Sequence, residues 1–524
     1  MKYFKIIFCF LFFNAFSQHE NIQIFNNLNC NEPSIAINPL NTNEMVAGSN
    51  LNIYYYSDDG GFNWQNGILT SDYGVWGDPC IIVDTAGSFY FFHLSNPTNG
   101  NWIDRIVCQK SNDGGETWSS GTFMGLNGSK IQDKEWAVVD RSNNNIYIAW
   151  TQFDKYGSSA SEDSSMILFS RSTDGGENWD NAIRLSKEAG NCLDDDNTTE
   201  GAVPCIGLNG EIYIAWTKDE NIYFDKSLDY GETWLENDKI ISQIYGGWNY
   251  NIPGIMRANG MVVSACDTSQ NEYRGRIYLN WSDQKHGEND TDIWLIKSDD
   301  GGENWSIPKR VNDDPAGKHQ FSTWMTLDQV TGYIYIVFYD RRNYDDLKTD
   351  VYMAVSKDGG ENFTNFKISE SPFTPNSSVF FGDYTNISAY NNVVRPIWTR
   401  LDNFNLSLWT AIIDTENVHS ENFEFLKKEE KSIIYLKQNF PNPFFDETIF
   451  NFKLKRSSEV TAKLFDVYGN EIIFFYKELK KEGNYIIPLN AEKYNLKAGV
   501  YYFSLENSKE RKIKKVVLLG IIND

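Results

Sequence analysis

SDDGGFNW at 57–64 is the stretch that decides the fold, because it comes back five more times. The later copies are SNDGGETW from 111, STDGGENW from 172, SLDYGETW from 227, SDDGGENW from 298 and SKDGGENF from 356. They reduce to Ser-x-Asp-x-Gly-x-x-Trp, with Phe363 in the last Trp position. The starts lie 54, 61, 55, 71 and 58 residues apart, a period of stacked or radial supersecondary units. The shared carboxylates are Asp59, Asp113, Asp174, Asp229, Asp300 and Asp358. Such an Asp accepts hydrogen bonds from turn N–H groups, and Gly supplies φ > 0 where strands reverse. The Trp is expected to pack beneath its own turn, against the blade. Chemistry needs one copy and not six, so the motif reads as scaffolding.

Working outward, each copy sits in a unit of four short strands. An apolar strand ends near Asp or Gly, as in IIVD to 84, AVVD to 140 and MTLD to 328. A second follows a tight turn: SFYFFH, NIYIAW, EIYIAW, RIYLNW or YIYIVF. A third runs into the motif, and the residues after Trp form a fourth. Four strands per repeat is a propeller blade. First strands begin near Pro33, Pro79, Trp136, Pro204, Val262, Trp324 and Tyr384, which gives seven blades, with six as the alternative. The last unit lacks the motif. Residues 21–27 are expected to add its outer strand and close the ring, because closure removes exposed edges.

Composition agrees with an all-β chain. Of 524 residues, 41% are hydrophobic and 15% aromatic, enough to build cores from short strands. The net charge is −24. The segment 435–524 carries 15 basic and 11 acidic side chains, so the excess acid lies before it. That field repels nucleic acid and anionic membrane surfaces. Lys2 and Lys5, an apolar run and Ala15-Phe16-Ser17 form an export signal over 1–17, cleaved before Gln18; a membrane anchor is the other reading of the run. Six cysteines follow it without a CxxC pair, read as buried thiols or one or two bridges.

The six repeats resemble the Asp-box of the sialidase-like propellers, over about residues 30–415. That resemblance implies a β-propeller over 18–420 with the boxes on one face and ligand loops on the other. It does not fix the activity, since sialidases, other glycan enzymes, lectins and sorting receptors share the box. On the loop face fall Asp133, Glu135, Asp340, Asp383 and Tyr344 as candidate catalytic residues. Arg257, Arg341, Arg342 and Arg400 form a candidate cluster for a sugar acid, because guanidiniums grip carboxylates with two N–H bonds. The family's Phe/Tyr-Arg-Ile-Pro motif is absent: the corresponding region reads NEPSIAINP, and no Arg precedes Arg105. CLDDDNTTEG at 192–201 reads either as a Ca²⁺ ligand set (Asp194, Asp196, Glu200) or as a solvated acidic loop. No other cofactor is suggested.

After a linker at 421–434 the composition turns basic, and short strands with Gly and Asn turns read as a small C-terminal β-sandwich. QNFPNPF at 438–444, FDVYGNEI at 465–472 and LKAGVYYFSL at 496–505 resemble the sorting domain of the type IX secretion system of Bacteroidetes. The resemblance implies the secretion machinery as a partner, and release or surface attachment outside the cell. The expectation is a secreted, sialidase-like propeller acting on extracellular glycans as a glycoside hydrolase. A glycan-binding or adhesion protein without catalysis is the alternative.

Overall fold

The computed structural model describes residues 19–26, 29–402, 404–413, 434–436, 439, 441–467, 469–507 and 511–519. Residues 1–17, read as an export signal, and nearly all of those read as a linker lie outside the described residues. Contacts divide the chain into two compact units, Met1–Ser420 and Glu421–Asp524.

The first unit holds seven four-stranded antiparallel sheets. Six are continuous in sequence, over 34–68, 77–124, 131–184, 200–243, 263–310 and 320–367. Their innermost strands neighbour one another in chain order. The seventh sheet combines Asn386–Tyr390, Val393–Asp402 and Asn405–Ile412 with Glu20–Asn26 from the chain start. Its inner strand packs on the first sheet as well as the sixth, so the ring closes. Glu20 pairs with Ile412 and Asn26 with Ser407, which covers the strand edge that the last unit would otherwise expose.

The repeated motif does what its residues dictate. In the first copy Ser57 Oγ donates to Asp59 Oδ1 at 2.9 Å and accepts from the Gly61 N–H at 2.9 Å. Asp59 then accepts from the Asn63 backbone at 2.9 Å and side chain at 2.7 Å. The other five copies repeat these bonds, with Thr or Asn as the last donor. In the fifth copy the Asn304 backbone and side-chain bonds bring the Asp300 carboxyl down to about 2.

The Trp differs from expectation. It reaches the preceding blade and not only its own. Trp118 stands edge-on to Tyr54 at 5.9 Å, Trp179 to Phe92 at 5.8 Å, Trp234 to Phe169 at 4.9 Å and Trp305 to Phe224 at 5.2 Å. The motif's second Gly permits that approach: a Cβ on Gly115 (φ +94°) would lie 2.5 Å from Val46 of the blade before. The motif therefore ties neighbouring blades together as well as turning a hairpin. The seventh blade, which lacks it, sends Arg395 Nε to the Gly60 carbonyl at 2.8 Å.

All six described cysteines are buried, and no disulfide joins any two of them. The second unit is two sheets face to face. One holds Ile434–Leu436, Glu447–Leu454 and Gly483–Asn490; the other holds Glu471–Lys480, Ser458–Phe465, Gly499–Glu506 and Arg511–Leu518. Phe450 stacks on Phe503 across them, 3.8 Å between ring centres. Asn442 Oδ1 accepts the Val517 N–H, and the Phe444 N–H reaches the Val517 carbonyl, so the Asn-Pro-Phe turn is sewn to the last strand.

Deleting residues 20–26 strips the covering strand from the seventh blade. Differential scanning calorimetry of that variant is expected to show a lower Tm, with association at high concentration from the bared edge. An unchanged Tm would mean that closure does not hold the ring.

Candidate functional site

The site starts from a backbone irregularity. In four blades the inner strand carries a bulge, two residues facing one on the second strand. The pairs are Asp78-Pro79, Lys134-Glu135, Gly201-Ala202 and Ser322-Thr323. The first residue of each pair is left-handed, with φ of 52°, 54°, 78° and 48°. Glu32, just before the first inner strand, is left-handed too at 52°. The residues opposite the four bulges are His93, Trp150, Trp216 and Phe338, all fully buried. A bulge re-aims side chains that regular alternation would send into the sheet. Here it gathers polar groups at the loop-face end of the ring. His93 itself is packed, with burial taking its pKa down to about 4.

Lys134 is the hub. Its Nζ lies 2.9 Å from Asp78, 3.0 Å from Asp383 and 3.8 Å from Glu32, and the side chain is 6% exposed. Burial opposes the ammonium, but Asp78, Asp383, Asp133 and Glu32 outweigh it and hold its pKa well above the usual lysine value. Arg257 forms the second cationic bridge. It grips Asp383 through Nε at 2.7 Å and through Nη2, and meets Asp194 through Nη1 at 2.8 Å. Burial would raise the Asp383 carboxyl, yet Arg257 and Lys134 hold it far below the ordinary range. Asp194 also accepts from Tyr156 Oη at 2.7 Å and Trp248 Nε1 at 2.8 Å. The Asn50 amide donates to Glu32, and its oxygen takes the Asp78 N–H at 2.8 Å.

Seven carboxyl groups therefore crowd two cations: Glu32, Asp78, Asp133, Glu135, Asp194, Glu200 and Asp383 against Lys134 and Arg257. They cannot all ionise. Burial, then the Asp78 charge, pushes the Glu32 and Glu135 carboxyls well up; burial, then Asp194, does the same to Glu200. Asp133 is raised by burial, with Asp78 and Asp194 opposed by Lys134 and Arg257, to about 7. It is half-buried and accepts the Lys134 backbone N–H at 2.9 Å.

A cavity of about 400 Å³ opens on this cluster. Glu32, Asp78, Asp133, Lys134 and Arg257 line it together with Trp76, Trp102 and Tyr156. The Trp76 and Trp102 rings stand edge to face at 5.6 Å, and Trp102 and Tyr156 at 6.3 Å. Rings from the third, sixth and seventh blades also meet: Trp136 lies 4.3 Å from Trp324 and 4.9 Å from Tyr384.

Of the residues expected from sequence, Asp133, Asp383 and Arg257 meet here, with Glu135 buried beside them. The remaining five do not join them. Arg341 is 3% exposed and donates to Thr349 and to the Pro253 carbonyl. Arg342 pairs with Asp340 at 2.8 Å and Asp313 at 2.5 Å. Arg400 pairs with Asp402 at 2.5 Å and the Ser371 carbonyl at 3.0 Å. Tyr344 donates to Asp350 at 2.8 Å. Asp340, Tyr344 and three of the four Arg are thus bonded to carboxyl, carbonyl and hydroxyl groups that do not line the cavity.

The three residues of the Ca²⁺ reading of 192–201 are not gathered into one ligand set. Asp194 serves Arg257, Asp196 accepts the Asn249 N–H at 2.9 Å, and both Glu200 oxygens are buried without a partner. Among the described residues the ligand-like grouping is instead His286, Asp290 and Asp292. Sequence reading left Glu32, Trp76, Trp102 and Tyr156 out of the site. The polar residue just before each apolar inner strand was the available signal for Glu32.

Residues 438–519 match the family model described as a secretion system C-terminal sorting domain. That segment directs export through the secretion machinery, to the cell surface or the medium. No curated protein matches the chain. Solved structures similar to it include the polysaccharide lyase ulvan lyase, at 12% identity over 74% of this chain and 95% of that one, with a TM-score of 0.47. The NanB sialidase from Streptococcus pneumoniae is 11% identical over 70% of this chain and 83% of that one, TM-score 0.43. An α-L-arabinanase from Penicillium chrysogenum is 14% identical over 65% and 94%, TM-score 0.41.

Lys134→Met removes the ammonium that Asp78, Asp383 and Glu32 share. Leaving buried carboxylates unpaired costs about 3–5 kcal/mol. Asp383 has a depressed folded pKa, so its contribution exists above the unfolded value of about 3.9 and is lost as pH falls through the folded one. The gap between wild type and variant in urea unfolding is therefore expected to hold from pH 7 down to about pH 4 and to narrow below that. Equal stabilities at pH 7 would remove Lys134 from its central role.

Proposed function

We propose that this exported propeller binds extracellular glycans in the cavity and hydrolyses them, with Asp133 as the proton donor. The observation that carries the reading is a half-buried carboxyl poised at about 7 in a cavity with an aromatic wall. A general acid must hold its proton at working pH and release it to the leaving oxygen, which requires a raised pKa. Asp78, ion-paired to Lys134 on the same wall, is the partner carboxylate that would activate water. Trp76 and Trp102 are 37% and 41% exposed, an accessible apolar surface for the C–H face of a sugar ring.

Sialidase chemistry is the part of the expectation that this arrangement does not support. A trio of guanidiniums for a sugar acid is replaced by Arg257 alone, already paired on two sides. The export tail supports an extracellular substrate. A signal peptide at 1–17 fits the same route, with the periplasm as its first stop.

The mature full-length chain, incubated with a polysaccharide panel, is expected to release sugars detectable by chromatography. Asp133→Asn should lower kcat by about 10²–10⁴-fold. For the unmodified enzyme, kcat/KM should fall as pH rises past about 7, because the donor loses its proton there. Trp102→Ala should weaken binding about tenfold with little change in Tm. Retained binding with no product from any glycan would identify a lectin or adhesion protein, and turnover untouched by Asp133→Asn would move the acid elsewhere.

A further inference from the structure

We propose that the sugar seated in this cavity carries a free ammonium group, which rests against Glu32 and Asp78. The inference deepens the glycan reading and depends on it.

The first ground is that the cavity's cations are already engaged. Lys134 meets Asp78, Asp383 and Glu32. Arg257 uses Nε, Nη1 and Nη2 on Asp383 and Asp194. No open fork remains to take the carboxylate of a sugar acid, which would also have to approach the fixed charges of Asp78 and Asp383.

The second ground is an acceptor surplus on the same wall. Glu32 and Asp78 stand within hydrogen-bonding reach of each other, and Asn50 bridges them through its amide. Both line the cavity, and Lys134 is their one shared counter-charge. An ammonium offers three donors and a positive charge to that pair. Glu135 and Glu200 lie buried near the same cluster, with all four carboxyl oxygens unpartnered, so further acceptors deepen the demand for positive charge or protons.

The third ground is the walls. Trp76, Trp102 and Tyr156 line the same cavity as the acidic groups. Low-dielectric walls focus the field on a ligand charge, and aromatic faces attract cations. A sugar bearing an amine satisfies both at once.

The test uses the full-length mature protein in isothermal titration calorimetry. The probes are glucosamine oligomers, N-acetylglucosamine oligomers of equal length and galacturonate oligomers, each at low and high salt. Glucosamine oligomers are expected to bind about tenfold more tightly than their acetylated counterparts, the worth of one charge-assisted hydrogen bond. That preference should shrink at high salt. It should also disappear in Glu32→Gln, which keeps the side chain's shape while removing its ability to ionise. Proton release on binding, read by repeating the titration in buffers of different ionisation enthalpy, would show the ammonium taking the place of a carboxyl proton. Equal or tighter binding of acetylated or uronate oligomers would overturn the inference and leave the glycan reading standing. Silence from these probes, with other panel glycans bound, would overturn it as well. Silence from every glycan would bring down both.

Discussion

One buried ammonium organises the functional end of the ring. Lys134 leaves the third blade and touches carboxyls that enter from the first, second and seventh: Glu32, Asp78 and Asp383. Arg257, ahead of the fifth blade, grips Asp383 and carries the network to Asp194, ahead of the fourth. Residues far apart in the chain are thereby held at one point. Burying such a pair is costly unless geometry is good and the remaining hydrogen bonds are made. Here the Asn50 amide, Tyr156 and Trp248 supply many of them. The excess of acid over base then decides the chemistry, because some carboxyls must keep their protons.

The scaffold makes that arrangement affordable. Six repeated hairpins are held by Ser–Asp hydrogen bonds within the turn, and four of them set their Trp on the preceding blade. The inner strands can then tolerate bulges and left-handed residues at their loop-face starts. Backbone strain of this kind persists only where surrounding structure over-determines it. The large aromatics facing the bulges, such as Trp150 and Trp216, are fully buried and fix the irregular backbone from behind.

Local signals carried much of the architecture. Alternating apolar strands, six copies of a turn motif and the missing seventh copy were legible because each depends on residues within a few positions of one another. The closing role of the chain start was legible too, from the edge it had to cover. The site was legible only in part. Asp133 and Asp383 stood out as polar residues beside apolar strands. Arg341, Arg342 and Arg400 looked the same in sequence, yet Asp340, Asp313 and Asp402 pair with Arg342 and Arg400, while Arg341 is buried with its Nε on Thr349 and its Nη1 on the Pro253 carbonyl. Nothing in the spacing says which guanidinium finds a partner first.

By itself the sequence determined the repeating blade and the exported tail, since hydrogen bonding and side-chain alternation are set over short distances. Only the tertiary structure decided that Lys134 and Arg257 are the cations of the cavity, that Trp76, Trp102 and Tyr156 wall it, and that Asp133 is poised to hold a proton. Those outcomes come from Coulomb interactions and desolvation among groups brought together by ring closure, and both vary steeply with distances that no stretch of chain specifies alone.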